Sequence, residues 1–182
     1  MRSMQERTKW MFANAIMDII TRKELSKIRI TELCEYCDTD RQTFYYHFKD
    51  KYDLVSWIYE NDWKYSFDHE AINFSKEQTL ILLEQIKKKQ FFYRRAFEDS
   101  NQNSLFSYMH DTNRRITENI IKRRFQVSEL SSEQLFAINY HAYAWVCCLS
   151  EWVANKCEPE PSVYVHYLYD NSVIIYEKHP FK

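Results

Sequence analysis

Not one of the 182 residues is glycine, and only three are proline. A β-rich fold ordinarily takes glycine at hairpin turns and bulges, so the absence points away from sheets. It also excludes the glycine loops that cradle phosphates in P-loop and dinucleotide-binding proteins. A helical chain with short polar connections can do without glycine. With 45% hydrophobic and 17% aromatic residues, the chain can bury a sizeable core, and disorder is not expected.

Helical periodicity runs through the sequence. A first helix is expected over about Gln5 to Glu24, with Trp10, Phe12, Ala13, Ile16, Ile19 and Ile20 at helical spacing. A short one follows over Ile30 to Cys37. The turn formers Asp38-Thr39-Asp40 come next, then a second short helix carrying residues 41–48. Asp50 can cap a helix running to about Phe67. Further on, Ser75 with Gln78 and Ser131 with Gln134 are capping boxes. Helices are expected over Lys87 to Asp99, over Leu105 to about Phe125 either whole or broken, over 131–156, and over about Ser162 to Lys178.

Two short helices joined by a three-residue turn have the layout of a helix-turn-helix, whose second helix enters the major groove. Phe44 and Phe48 sit four apart and share a buried face, which turns Arg41, Gln42, Thr43, Tyr46 and His47 outward. Arg and Gln match guanine and adenine edges bidentately; Thr, Tyr, His and Lys are phosphate partners. Lys49 and Lys51 stand where the next helix begins. Residues 1–51 hold ten Lys and Arg against eight Asp and Glu, and the remainder fifteen against eighteen. The first segment therefore carries the small positive excess.

The run Thr43-Phe44-Tyr45-Tyr46-His47-Phe48-Lys49-Asp50-Lys51-Tyr52-Asp53-Leu54 closely resembles the recognition helix and following segment of TetR-type regulators, which read T-L-Y-x-H-F-x-x-K-x-x-L. The resemblance spans about residues 8–60. It implies an all-α protein with a helix-turn-helix DNA-binding domain over 1–52 and a helical regulatory and dimerisation domain over 53–182. By position it implies DNA contacts at Thr43, Tyr45, Tyr46, His47 and Lys51, with Arg41 and Gln42 at the variable, sequence-reading places. Three residues depart from the pattern. Asp38 replaces the turn glycine, Thr39 an apolar residue, and Gln42 a small one. Asp enters the left-handed region less easily than Gly. The segment Trp57 to Asp62 and Phe91-Phe92-Tyr93 look like the branch containing dihydroxyacetone-kinase operon regulators, where a member can be an activator answering to a partner protein.

Helix 131–156 is apolar on most sides. Leu135, Ile138, Ala142, Trp145, Leu149 and Trp152 form one face, and Phe136, Tyr140, Tyr143 and Cys147 another. With helix 162–178 (Val163, Tyr164, Tyr167, Leu168, Ile174, Ile175) it suits a homodimer interface of four helices. Tyr108, His110, Asn139 and His141 are candidates to line a small-ligand pocket, against a plain reading as hydrogen-bonded polar residues. Cys34 and Cys37 supply only two ligands where structural zinc needs four, so small residues packing between helices is the better account. Five cysteines argue for reduced thiols in the cytoplasm. No run approaches the length of a membrane span. No nucleophile–base set, metal quartet or cofactor loop supports an enzyme. The expected function is a homodimer on a pseudo-palindromic duplex-DNA operator, controlled through its C-terminal domain by a small ligand, or alternatively by a partner sensor protein.

Overall fold

The computed structural model describes residues 3–67 and 75–177, with side chains as far as Asn171. Among these, all regular structure is helical. The helices are α1 (Met4–Ile19), α2 (Ile30–Tyr36), α3 (Arg41–His47), α4 (Lys51–Ser66), α5 (Lys76–Lys88), α6 (Gln90–Phe97), α7 (Leu105–Phe125), α8 (Ser132–Ala154) and α9 (Pro161–Glu177), with a 3-10 turn at Leu25–Lys27. The expected end at Lys178 and the side chains of Ile174 and Ile175 lie outside the described residues.

Local chemistry sets the helix starts. Ser3 with Glu6, Ser75 with Gln78 and Ser131 with Gln134 form reciprocal capping boxes. Asp40 caps α3 by accepting from the Thr43 amide at 2.7 Å, and Asp50 accepts from the amides of Tyr52 and Asp53 at the head of α4. Two expectations change and one open alternative is settled. Lys87 and Lys88 close α5, and the next helix, α6, starts at Gln90. α1 stops at Ile19 rather than Glu24, because the Thr21 hydroxyl donates to the Asp18 carbonyl at 2.6 Å and the chain tightens into a turn that buries Leu25. α7 is one unbroken helix.

The ends are where the missing glycine tells. α2, α7 and α8 each close with a left-handed residue: Asp38 at φ 47°, Gln126 at φ 54° and Lys156 at φ 58°. At each, the following amide reaches back five residues, Thr39 to Cys34, Val127 to Lys122 and Cys157 to Trp152. This is the Schellman closure, whose left-handed position is usually glycine. Here L-residues hold it, each at a cost of about 1 kcal/mol. Asp at the α2–α3 turn is the residue the sequence offers there, and it does adopt the left-handed conformation.

The chain divides into two compact units. The first comprises residues 1–61 with 91–105, and the second 62–90 with 106–182. In the first, Phe12, Ile16, Ile20, Leu33, Phe44, Leu54 and Ile58 are fully buried, and α6 adds Phe92, Tyr93 and Ala96. The unit thus reaches beyond the N-terminal segment. In the second, α5 and α8 both pack on α9, burying Leu82, Leu83, Ile86, Leu149, Val153, Val165 and Leu168. There the buried Asp62 pairs with Lys89, and Trp152 stacks on Tyr164 with centroids 5.0 Å apart.

Candidate nucleic-acid interface

α3 is held by an aromatic keel. Phe44 and Phe48 are buried, four residues apart and therefore on one face. Phe12 of α1 meets Phe44 edge to face at 5.1 Å, and Phe48 meets Trp57 of α4 at 5.8 Å. Trp10 closes the row on Trp57 at 5.2 Å. Full burial of each Phe contributes about 2–3 kcal/mol. The keel fixes the rotation of α3 about its axis, and the opposite face is thereby turned to solvent.

That face carries Arg41, Gln42, Tyr45 and Tyr46. All four are exposed; Tyr45 is 48% and Tyr46 71% accessible. Such exposure of adjacent tyrosines on a well-held helix is unusual for a surface without a partner. The Arg41 guanidinium lies over the Tyr45 ring at 5.8 Å. The Tyr46 hydroxyl accepts from the Gln5 side-chain amide at 3.3 Å, and its ring meets His47 edge to face. Thr43 and His47 are half-buried at the margins. Burial, helped by the nearby Lys9 charge, holds His47 below the ordinary histidine range, so at neutral pH the ring is uncharged.

The two lysines differ. Lys49 is exposed, with its backbone amide donating to Asp53 at 2.9 Å. Lys51 turns inward and donates its ammonium to the carbonyls of Ser26 at 2.7 Å and Ile28 at 3.0 Å. It ties α4 to the segment entering α2, and burial depresses its pKa. The cysteine pair is used in packing. Cys34 Sγ donates to the Asp40 carbonyl and Cys37 Sγ to the Met11 carbonyl, and burial raises both thiol pKa values.

Of the four candidate pocket residues, two meet. His110 is buried, with Nε2 3.1 Å from Asn139 Oδ1, Nδ1 3.1 Å from Asp111 Oδ1, and its ring 4.0 Å from that of Tyr143. Tyr108 and His141 lie two residues from these partners on α7 and α8, about 200° around each helix, and so face elsewhere. Burial pushes His141 down to about 4.

On α8 the two faces part. Ile138, Ala142, Trp145, Leu149 and Trp152 are buried, whereas Phe136, Tyr140, Tyr143 and Cys147 are exposed. Leu135 is exposed too, at the N-terminal end of its row. No helix among the described residues is long and apolar enough to cross a membrane.

An all-helical chain with a capped, outward-facing helix after a tight turn is built as a helix-turn-helix regulator. Residues 73–172 match the family model described as the TetR-type transcriptional regulator C-terminal region. The chain belongs to the TetR family of transcriptional regulators, and is a regulator rather than an enzyme. It is 28% identical over 91 residues to the HTH-type dhaKLM operon transcriptional activator DhaS of Lactococcus lactis subsp. lactis (strain IL1403). That stretch covers 50% of this chain and 49% of the relative, so the match spans about half the length of that protein. Among solved structures, a dihydroxyacetone kinase operon activator DhaS has the same fold. It superposes with a TM-score of 0.62 at 19% identity, covering 91% of this chain and 94% of that one. A TetR transcriptional regulator from Rhodococcus sp. RHA1 does so with a TM-score of 0.58 at 12% identity, covering 95% and 99%.

Position in the motif alone did not mark Gln5 or Lys9 as neighbours of the α3 face. Their side chains meet it only once α1 has packed, and no local pattern carries that information.

Proposed function

We propose that this protein is a cytoplasmic, homodimeric DNA-binding transcription regulator that reads a pseudo-palindromic operator through α3. The observation that carries the reading is the exposed Arg41-Gln42-Tyr45-Tyr46 face above the buried Phe44–Phe48 keel. Arg41 and Gln42 are the base readers. Thr43, Tyr45, Tyr46, His47 and Lys49 bind phosphates and sugar as neutral or charged donors, and Lys51 supports them from behind. Two copies would present α3 to successive major grooves about 34 Å apart.

The second copy docks on the exposed stripe of α8, with α9 beside it. Phe136 and Tyr140 are 71% and 70% accessible with rings stacked at 6.4 Å. Tyr143 continues the same face, and Val163 and Tyr167 are exposed on α9. A small ligand acting through the second unit near His110 and Asn139 would change DNA affinity only by binding the two head spacings differently. The likeness to the two DhaS activators favours activation over repression.

Fluorescence anisotropy on duplexes from upstream of the protein's own gene tests the DNA reading. Tight, salt-sensitive binding that Arg41→Ala/Tyr46→Ala abolishes supports it. Weak binding that is indifferent to sequence and to those changes refutes it. Sedimentation tests the dimer: the parent should sediment as two copies and Phe136→Glu/Tyr140→Glu as one.

A further inference from the structure

A groove of about 540 Å³ opens in the first unit beside α3. One wall is Arg41 and Tyr45 of α3. A second is the entry to α2, with Arg29 and Thr31, and a third the head of α4 at Lys51. The remaining wall is the loop after α6, Asn101 to Asn103, which is distant from α3 in sequence.

The loop has a defined shape. The Asn101 amide donates to Asp99 Oδ1 at 2.9 Å, the Asn103 amide to Asn101 Oδ1 at 2.9 Å, and the Ser104 amide to the Asn101 carbonyl at 2.8 Å. Tyr52 of α4 donates its hydroxyl to Asp99 Oδ2 at 3.4 Å, which ties the loop to the helix-turn-helix. The side chains of residues 101–103 are exposed.

The lining is rich in donors. Arg29 and Arg41 bring guanidinium groups, Thr31 and Tyr45 hydroxyls, and the loop three carboxamides. The lining carboxylate, Asp50, is engaged by the amides of Tyr52 and Asp53. A groove with several hydrogen-bond donors and an excess of cations, running alongside a reading helix, fits a phosphodiester strand.

We infer that Asn101, Gln102 and Asn103 belong to the DNA interface, closing with Arg29 and Thr31 a channel for the sugar-phosphate backbone next to α3. The inference rests on the DNA-binding reading above and extends the footprint to a loop of the same compact unit that is distant from α3 in sequence. The contact is with backbone, so it raises affinity for any sequence without specifying one.

The test is anisotropy of the full chain on a random-sequence duplex, over a salt series starting low. Gln102→Ala/Asn103→Ala should bind several-fold more weakly with an unchanged salt slope, because neutral contacts release no counterions. Gln102→Glu/Asn103→Asp should lose about tenfold or more. Gln102→Lys should bind more tightly and steepen the slope by about one, a gain that misfolding cannot imitate. If the neutral pair binds like the parent while Arg41→Ala weakens binding, the loop is off the DNA and only this inference fails. A response of the charged variants alone, with the neutral pair silent, is a long-range field effect and also overturns it. A parent chain that binds no duplex, with Arg41→Ala no different, refutes both the inference and the reading beneath it.

Discussion

Gln5 of α1 holds the hydroxyl of Tyr46 in α3, amide to oxygen at 3.3 Å. The bond spans two helices and aims the most exposed aromatic ring of the proposed reading face. Gln5→Ala should leave the fold intact and weaken operator binding about three- to fivefold, the worth of one net hydrogen bond. In a double-mutant cycle by anisotropy, Tyr46→Phe should cost more than Gln5→Ala, and the double variant should lose less than the sum of the two because Gln5 acts through the Tyr46 hydroxyl.

Lys51 bridges the carbonyls of Ser26 and Ile28. Lys51→Met keeps the stem and removes the ammonium, leaving the partly buried Ile28 carbonyl short of a partner and the exposed Ser26 carbonyl to water. A loss of about 1–3 kcal/mol is expected, read as a lower urea midpoint at unchanged m-value. Lys51→Arg should recover part of it.

His141 refuses its proton down to about pH 4 because it is buried. In the unfolded chain it titrates near 6.5. Between those values the unfolded state binds the proton and the folded state does not, so its contribution to stability is full above about 6.5. That contribution is lost progressively as pH falls and levels off near 4. Urea midpoints from pH 7 to pH 4 should show the decline, and His141→Gln should flatten it.

Lys156 occupies the left-handed closing position of α8 at φ 58°, and its side chain is exposed. Lys156→Gly removes the Cβ conflict, offset in part by the extra freedom of glycine in the unfolded chain. A net gain of about 0.5–1 kcal/mol is expected, read as a higher Tm. A fall would mean the lysine side chain makes up for its backbone.

Features that depend on residues close in sequence were legible from it. The Phe44–Phe48 spacing, the Asp40 cap and the capping boxes at Ser75 and Ser131 each involve residues within one helical turn, and each is found as read. The split of α8 into a buried and an exposed face also follows from its periodicity. Features that depend on tertiary packing were not. The motif placed Lys51 among residues facing DNA, and only the folded chain brings Ser26 and Ile28 beneath its ammonium. Nothing local says that α6 joins the first unit or that Asn101 to Asn103 line a groove with Arg41. The early end of α1 was missed because the Thr21 hydroxyl competes for a helical carbonyl, which apolar periodicity does not register.

The charge of the α3 face sits at its two ends, on the exposed Arg41 and Lys49, and His47 near the C-terminal end is uncharged at neutral pH. If this face reads DNA, its sequence-independent attraction is concentrated at those two ends and at Arg29 in the groove alongside. Such a molecule is held for part of its time on the genome's unrelated sites, and the share of the pool left free rises with salt. Its search for an operator then proceeds by sliding and hopping along the duplex between collisions, and the number of copies needed to fill the operator is set by the ratio of specific to unrelated binding.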